Sequence, residues 1–331
     1  MYKPLQTSPK GEAYLNLFLF HLPTSAKNTN YFLVFIVAFI GAVLFSTKAI
    51  MVKKAFADTH VPALSLLVFR MLFSLPFYLI AAFITSRKQE NVRFTKKDWL
   101  LIFLLGIAGY YLSSLFDFMG LQYVSAGIER LILFLYPTFV VLFNSMLFGQ
   151  LVTRNQKIAL LLTYAGIGIA YFGEISVTET SPNFIWGSSL IFICAITYAT
   201  YLVGSGRLIP KLGASKFTAY VMIAATVGVL LHFFIVSDYS NLHFTKELTY
   251  YGLMLAIIAT VIPTFLIAYG MKTIGANNTA IVTSIGPVST ILQAHWILGE
   301  HIFTAQIIGT ILVIIGVLLI GWKQKNNPVA E

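Results

Sequence analysis

Hydrophobic residues come in long unbroken runs separated by short polar breaks, without the strict alternation of a half-buried strand. A helix needs around 20 residues to cross about 30 Å of hydrocarbon. Ten runs reach about that length, at 31–52, 61–84, 98–118, 124–148, 156–174, 183–205, 215–236, 248–271, 277–298 and 303–322. The breaks between them leave almost nothing for a soluble domain. Their continuous apolar character is also unlike the weak ten-residue alternation of a membrane β-barrel. The pattern predicts an all-α integral membrane protein of ten transmembrane helices, numbered 1 to 10 in chain order. Residues 1–30 are expected to form a cytoplasmic segment: the apolar stretch 15–20 is too short for a signal peptide, and 24–30 is polar. Residues 323–331 form a short tail.

Composition sharpens this picture. Of 331 residues 58% are hydrophobic and only 10% charged, whereas a soluble chain carries roughly a quarter charged residues. The net charge of +10 would suggest nucleic acid in a soluble chain. Here the basic residues are spread over separate loops, and nucleic acid is not expected as a partner. With the N-terminus inside, 16 lysines and arginines fall in inner segments, and only Lys53, Lys54 and Lys246 in outer ones. That is the positive-inside distribution, so both termini are expected in the cytoplasm. Cys194, the single cysteine, cannot form an intrachain disulfide.

Residues 120–172 align without gaps onto 270–322 at an offset of 150. Gly120, Ala126, Pro137, Leu142, Gly149, Gln156, Ile158, Leu162 and Gly166 fall on Gly270, Ala276, Pro287, Leu292, Gly299, Gln306, Ile308, Leu312 and Gly316. Helices 1 and 6 correspond more loosely at an offset of 153, with Ala42, Thr47 and Lys54 opposite Ala195, Thr200 and Arg207. Two repeats follow, at 31–174 and 183–322. Five helices per repeat is an odd number, so the second repeat starts from the opposite face and the two are inverted. Inverted repeats mark secondary transporters that expose a midplane site to each face in turn. Pro137 and Pro287 lie halfway along helices 4 and 9, where each removes a backbone hydrogen bond and is expected to free a carbonyl, of Leu133 and of Thr283.

The 5+5 arrangement, the stretch AGIERLILFLYPTFVVL (126–142) and LGE (298–300) after helix 9 resemble the EamA-type transporters of the drug/metabolite transporter superfamily, over about residues 31–322. FGQ (148–150) after helix 4 departs from the glutamate often found there. The resemblance implies alternating-access transport of small metabolites or drugs, often efflux, in a bacterial inner membrane. It also implies a cavity lined by helices 1–4 and 6–9, with 5 and 10 peripheral.

Five ionisable residues fall inside spans: Lys48, Arg70, Asp117, Glu129 and Arg130. A charge at a helix centre costs roughly 2.5–3.5 kcal/mol on insertion scales, so these should face one another or water. All five belong to the predicted outer half. An Arg70–Asp117 pair between adjacent helices and a Glu129–Arg130 pair at the start of helix 4 are both expected as alternatives to a substrate site. Arg130, Pro137 and Asn144 recur every seven residues on one face of helix 4, with Glu129, Tyr136 and Phe143 beside them. Helix 3 offers Tyr110, Ser114 and Asp117; helix 6 offers Tyr198 and Tyr201; helix 9 offers Ser284 and His295, eleven apart, around Pro287. With Lys48 and Arg70 these are the candidate substrate-binding or cavity-lining residues. Asp117, Glu129 and Arg130 are the gating or coupling candidates, should a proton or other ion drive transport. Three cations against two anions favour a substrate with a carboxylate. Glycines in helices 5 and 10 (Gly166, Gly168, Gly173, Gly309, Gly316 and Gly321) read as packing positions. No nucleotide-binding loop, HExxH or other metal or catalytic constellation is present, so no cofactor, metal or enzymatic activity is expected. The lipid bilayer and a small molecule are the expected partners. An intramembrane enzyme and a non-transporting scaffold are the rival functions.

Overall fold

The computed structural model describes residues 31–87, 92–152, 154–177, 182–236, 245–283 and 285–322. The N-terminal segment 1–30 and the tail 323–331 lie outside them. The described residues are helical, with no strand among them. Helix α1 is Tyr31–Thr59, α2 Ala63–Ser86, α3 Lys96–Gly120, α4 Ala126–Phe148, α5 Arg154–Val177, α6 Phe184–Leu212 and α7 Ala214–Val236. Helix α8 runs from Lys246 to Thr283, α9 comprises Gly286–Gln293 and a wide turn at Ala294–Leu298, and α10 is Thr304–Trp322. Seven of these (α1–α4 and α6–α8) contain spans long and apolar enough to cross a membrane, and α10 adds a shorter apolar helix.

The duplication is visible in backbone detail. Thr95 caps α3 by accepting from Asp98 N, and Thr245, 150 residues on, caps α8 by accepting from Leu248 N. A π turn opens at Ile107 in α3 and another at Ile257 in α8. Leu135 N donates to Ile132 O at 3.0 Å, and Ile285 N to Val282 O at 3.4 Å. Helices 4 and 9 end on left-handed Gly149 (φ 65°) and Gly299 (φ 70°). Helices α1 and α6 both overrun their predicted ends by seven residues, and stop at His60 and Gly213, again at positive φ. Charged residues ended the apolar runs in sequence, but a helix that protrudes from hydrocarbon does not have to stop there.

Packing follows the same symmetry. Helix α1 lies against α8 and α9, and α6 against the equivalent α3 and α4; α2 pairs with α7, and α5 with α10. A Cβ on Gly166 would come within 2.5 Å of Gly309 O, and one on Gly316 within 2.7 Å of Ala159 O. Rising positions on α5 therefore meet falling positions on α10. These helices are equivalents in the two repeats, so antiparallel crossing makes the repeats inverted. Gly173 abuts Ala305, whereas Gly168 faces open space; the surroundings of Gly321 lie outside the described residues.

Two expectations change. The eighth helix does not end near 271; the backbone stays helical to Thr283, through the first residues assigned to helix 9. In the first repeat Ser125 caps α4 by accepting from Ile128 N, but its counterpart is Gly275, which has no capping oxygen. The mid-helix prolines also do more than kink their helices. Each follows a break, at Phe134–Leu135 and between Thr283 and Gly286, and opens a new half-helix. At a first helical turn the missing N–H would be unpaired anyway, so proline is accommodated without an orphaned ladder.

Close approach of α5 and α10 needs a hydrogen at Gly166. Gly166→Leu is expected to lower stability in detergent by roughly 1–3 kcal/mol, the range for overpacking. Gly168→Ala, which meets nothing within 4 Å, should leave the thermal unfolding midpoint unchanged. Equal midpoints for both variants would show that the contact is not needed.

Candidate functional site

The proline half-helix of α9 and the π turn of α8 each meet a buried arginine, Arg130 and Arg70. Helix α4 begins with Ser125 as N-cap, and its first segment, Ala126–Leu133, is buried throughout, including Glu129 and Arg130. The five intramembrane charges are all withdrawn from the surface: Asp117 and Glu129 are 0% exposed, Arg70 2%, Arg130 5% and Lys48 6%. Groups this deep persist only when they have partners.

Lys48 of α1 is the hub. Its Nζ lies 2.7 Å from Asp117 Oδ2 on α3 and 3.9 Å from Glu129 Oε1 on α4. One cation thus holds two carboxylates and ties three helices of the first repeat together. Arg70 does not join this triad. Its Nε donates to Thr260 Oγ1 at 2.8 Å, a second guanidinium nitrogen donates to Ser114 Oγ at 3.1 Å, and its guanidinium lies 5.5 Å from the Phe118 ring. Thr260 belongs to the π turn of α8, so Arg70 bridges both repeats. Arg130 donates to Ser46 Oγ at 3.3 Å and lies over the rings of Phe45 and Phe134. Ser46 also reaches Gly286 O, and a Cβ on Gly286 would come within 2.8 Å of the Arg130 guanidinium. Glycine at 286 lets α9 start against this charge.

The expected ion pairs are therefore redistributed. Among the described residues Arg70 and Asp117 form no pair within 4 Å, nor do Glu129 and Arg130; Lys48 takes both carboxylates. Neighbours in sequence on a helix point about 100° apart, which turns Glu129 and Arg130 to different partners. Among the described residues the four carboxylate oxygens and Arg130 Nε have no well-directed hydrogen bond.

A tyrosine layer lies beside the charges. Tyr110 meets Tyr201 edge-on at 5.0 Å, Tyr136 meets Tyr198 at 5.2 Å, and Tyr198 stacks on Tyr201 at 5.9 Å. Tyr110 sits in the π turn of α3, the counterpart of Thr260 in α8. Lys48, Arg70, Tyr110, Ser114, Asp117, Glu129, Arg130, Tyr136, Tyr198 and Tyr201 are thus gathered in neighbouring contacts. Pro287 is buried at the start of α9, and Pro137 and Asn144 are half-buried below the break in α4, which interrupts their stripe with Arg130. His295 stands apart: it is exposed, with Nδ1 2.9 Å from Glu300 O. The π turn at 294–298 inserts extra residues per turn and shifts it from the predicted face. Ser284 lies outside the described residues. Ser46 and Thr260 were missed, since an isolated hydroxyl in an apolar run carries no pattern; the 150-residue offset from Tyr110 was the available signal for Thr260.

No group of three or more potential metal ligands occurs among the described residues. The sequence profile of the EamA-like transporter family matches residues 32–172 and 185–322. The chain belongs to the EamA-like transporter family. It is 33% identical over 275 residues to an uncharacterised transporter of Bacillus subtilis, YcbK, covering 82% of this chain and 86% of that one. An uncharacterised inner membrane transporter of Salmonella typhimurium, YicL, is 21% identical, covering 87% and 95%. A crystal structure of 18% identity superposes with a TM-score of 0.63 over 89% of this chain and 99% of its own, which shows a shared fold. The buried charge cluster is accordingly set within a multi-pass membrane transporter, whose expected ligand is a small molecule.

The transporter's charge hub makes a stability test possible. Lys48→Met strands two buried carboxylates and should cost roughly 3–5 kcal/mol, the range for breaking a buried pair. Lys48→Met with Asp117→Asn should recover part of that loss. Thermal unfolding of the purified variants measures both, and a Lys48→Met midpoint equal to wild type would remove the hub role.

Proposed function

We propose that this transporter is a secondary carrier moving small organic metabolites that bear a carboxylate, amino acids and related compounds foremost and drugs as further candidates, by alternating access. The membrane is a bacterial cytoplasmic membrane with both termini inside, and the direction is export, as the family resemblance implies. One observation carries the substrate class. Arg70 and Arg130 are buried, yet among the described residues neither has a carboxylate within 4 Å. Their partners are hydroxyls and ring faces, which satisfy donors without neutralising charge. The five-residue cluster carries a formal +1, which a bound carboxylate would compensate. Arg130 Nε, without a hydrogen-bond partner among the described residues, is a ready donor. The neighbouring tyrosines offer ring faces and hydroxyls to the rest of the molecule. The breaks before Pro137 and Pro287 give each repeat a point at which half a helix can swing while the other half stays packed, as alternating access requires.

The test begins with a thermal-shift screen of purified protein against amino acids, nucleosides, polyamines, sugars and cationic drugs, since a ligand of the native state raises its unfolding temperature. Hits then enter flux assays in proteoliposomes. Carboxylate-bearing substrates are expected, with Arg70→Ala and Arg130→Ala each lowering their flux about tenfold or more, the loss expected when a charge-assisted hydrogen bond of roughly 1.5–3 kcal/mol is removed. Normal flux in Arg70→Ala would take Arg70 out of the site. Hits confined to cations would overturn the substrate class.

A further inference from the structure

Two polar links tie helices across the repeats at opposite ends of the bundle, and one partner of each occupies an equivalent position. At the predicted inner end Lys211 Nζ at the end of α6 lies 2.8 Å from Asp98 Oδ1 at the start of α3. At the predicted outer end the Tyr251 hydroxyl at the start of α8 donates to Asp58 at the end of α1. Asp58 and Lys211 are equivalents at the 153-residue offset, so each end has a clasp in this position.

A third link has no mate among the described residues. Lys53 Nζ, near the end of α1, donates to Val124 O at 2.7 Å and lies 3.9 Å from Glu300 Oε1. Glu300, just beyond α9, accepts from Ala126 N at 3.1 Å, the first amide of α4. Three helix ends thus meet on one carboxylate: α1 through Lys53, α9 through Glu300, and α4 through an amide whose helix dipole favours a negative charge there. The symmetry equivalents of Lys53 and Glu300 are Gly206 and Gln150, neither of them charged. Gln150 is exposed, and nearby Arg207 stacks on the Phe148 ring at 3.7 Å instead of pairing with a carboxylate.

We propose that Lys53 and Glu300 form a latch that closes the outer mouth by pinning the first half-helix of α4, and that outward opening requires this latch to release. The inference rests on the alternating-access reading. The latch holds the half-helix that carries Glu129 and Arg130, and the break at Phe134–Leu135 lets that half-helix move against the remainder of α4. Lys53 and Glu300 are about one-quarter and one-fifth exposed, so water can reach the pair and its release exposes no dry charge. Lys53 and Glu300 are positioning residues: they set which face is open, and they lie outside the charge cluster.

The experiment uses the full chain with Cys194→Ala, reconstituted in vesicles of known sidedness, and a membrane-impermeant maleimide. A reporter cysteine replaces Ala126, fully buried and held through its amide by the latch; a second, in a separate protein, replaces Ala219, buried near the opposite end in contact with α2. Glu300→Gln and Lys53→Met should each raise labelling of Ala126→Cys from the outer side by roughly fivefold, the population change expected from loss of a partly exposed ion pair. The same variants should slow labelling of Ala219→Cys from the inner side, because one mouth closes as the other opens. The double variant should label no faster than the faster single, since both changes release one latch. Faster labelling at both reporters would mean general loosening and would overturn the proposal, as would wild-type rates in both variants at unchanged thermal stability. Labelling needs no substrate, so failure of the latch and failure of the transport reading are distinguished by flux through wild-type protein.

Discussion

Burying charge in hydrocarbon is the constraint from which the first repeat takes its form. Lys48, Asp117 and Glu129 come from three helices, and each would be costly alone in an apolar slab. Bringing them within an ion-pair radius fixes the rotation of α1, α3 and α4 about their own axes as well as their separation. The same requirement recruits Ser114, Thr260 and Ser46 to the arginines, so the packing of α2 and α8 is set partly by hydroxyl positions. In lipid, where apolar faces gain little by meeting one another, such polar contacts and close backbone approach are what choose one arrangement among many.

The two repeats share a scaffold but divide its chemistry unequally. Counterparts of Asp117, Glu129 and Arg130 are Ile267, Thr279 and Ala280, and that of Lys48 is Tyr201. Several backbone devices are duplicated: capping threonines, the π turns of α3 and α8, proline breaks and left-handed helix ends recur at one offset. Charges are not. The breaks are therefore shared by both repeats, while the buried charges belong to one of them.

Much of this was legible in the chain. Hydropathy located the helices because a lipid-facing helix has to be apolar over its whole length, and the recurrence of Pro137 at Pro287 exposed the duplication. The five charges were found as a group because each violates that rule of composition. Their pairing was not legible. It depends on how helices rotate, which periodicity determines only within a regular helix, and α3, α4, α8 and α9 each contain a break or a π turn that resets the count. For the same reason His295 was placed on the wrong face while Tyr110 and Tyr201 were placed together. The ends of α1 and α6 were set too early because Lys53 and Arg207 look like exits from the membrane, although a helix continues past its last lipid-facing turn.

The crossing of α5 and α10 has a geometric consequence. Gly166 meets Gly309, and exchanging the repeats maps this contact onto that of Gly316 with Ala159, so the pair of contacts brackets the axis of exchange. A rotation that interconverts two such halves leaves points on its axis stationary, in the way an axle stays put while a wheel turns. Backbone-to-backbone contact, too close to accept even a methyl group, suits such a place, because it holds no side-chain rotamer that a change of conformation would disturb.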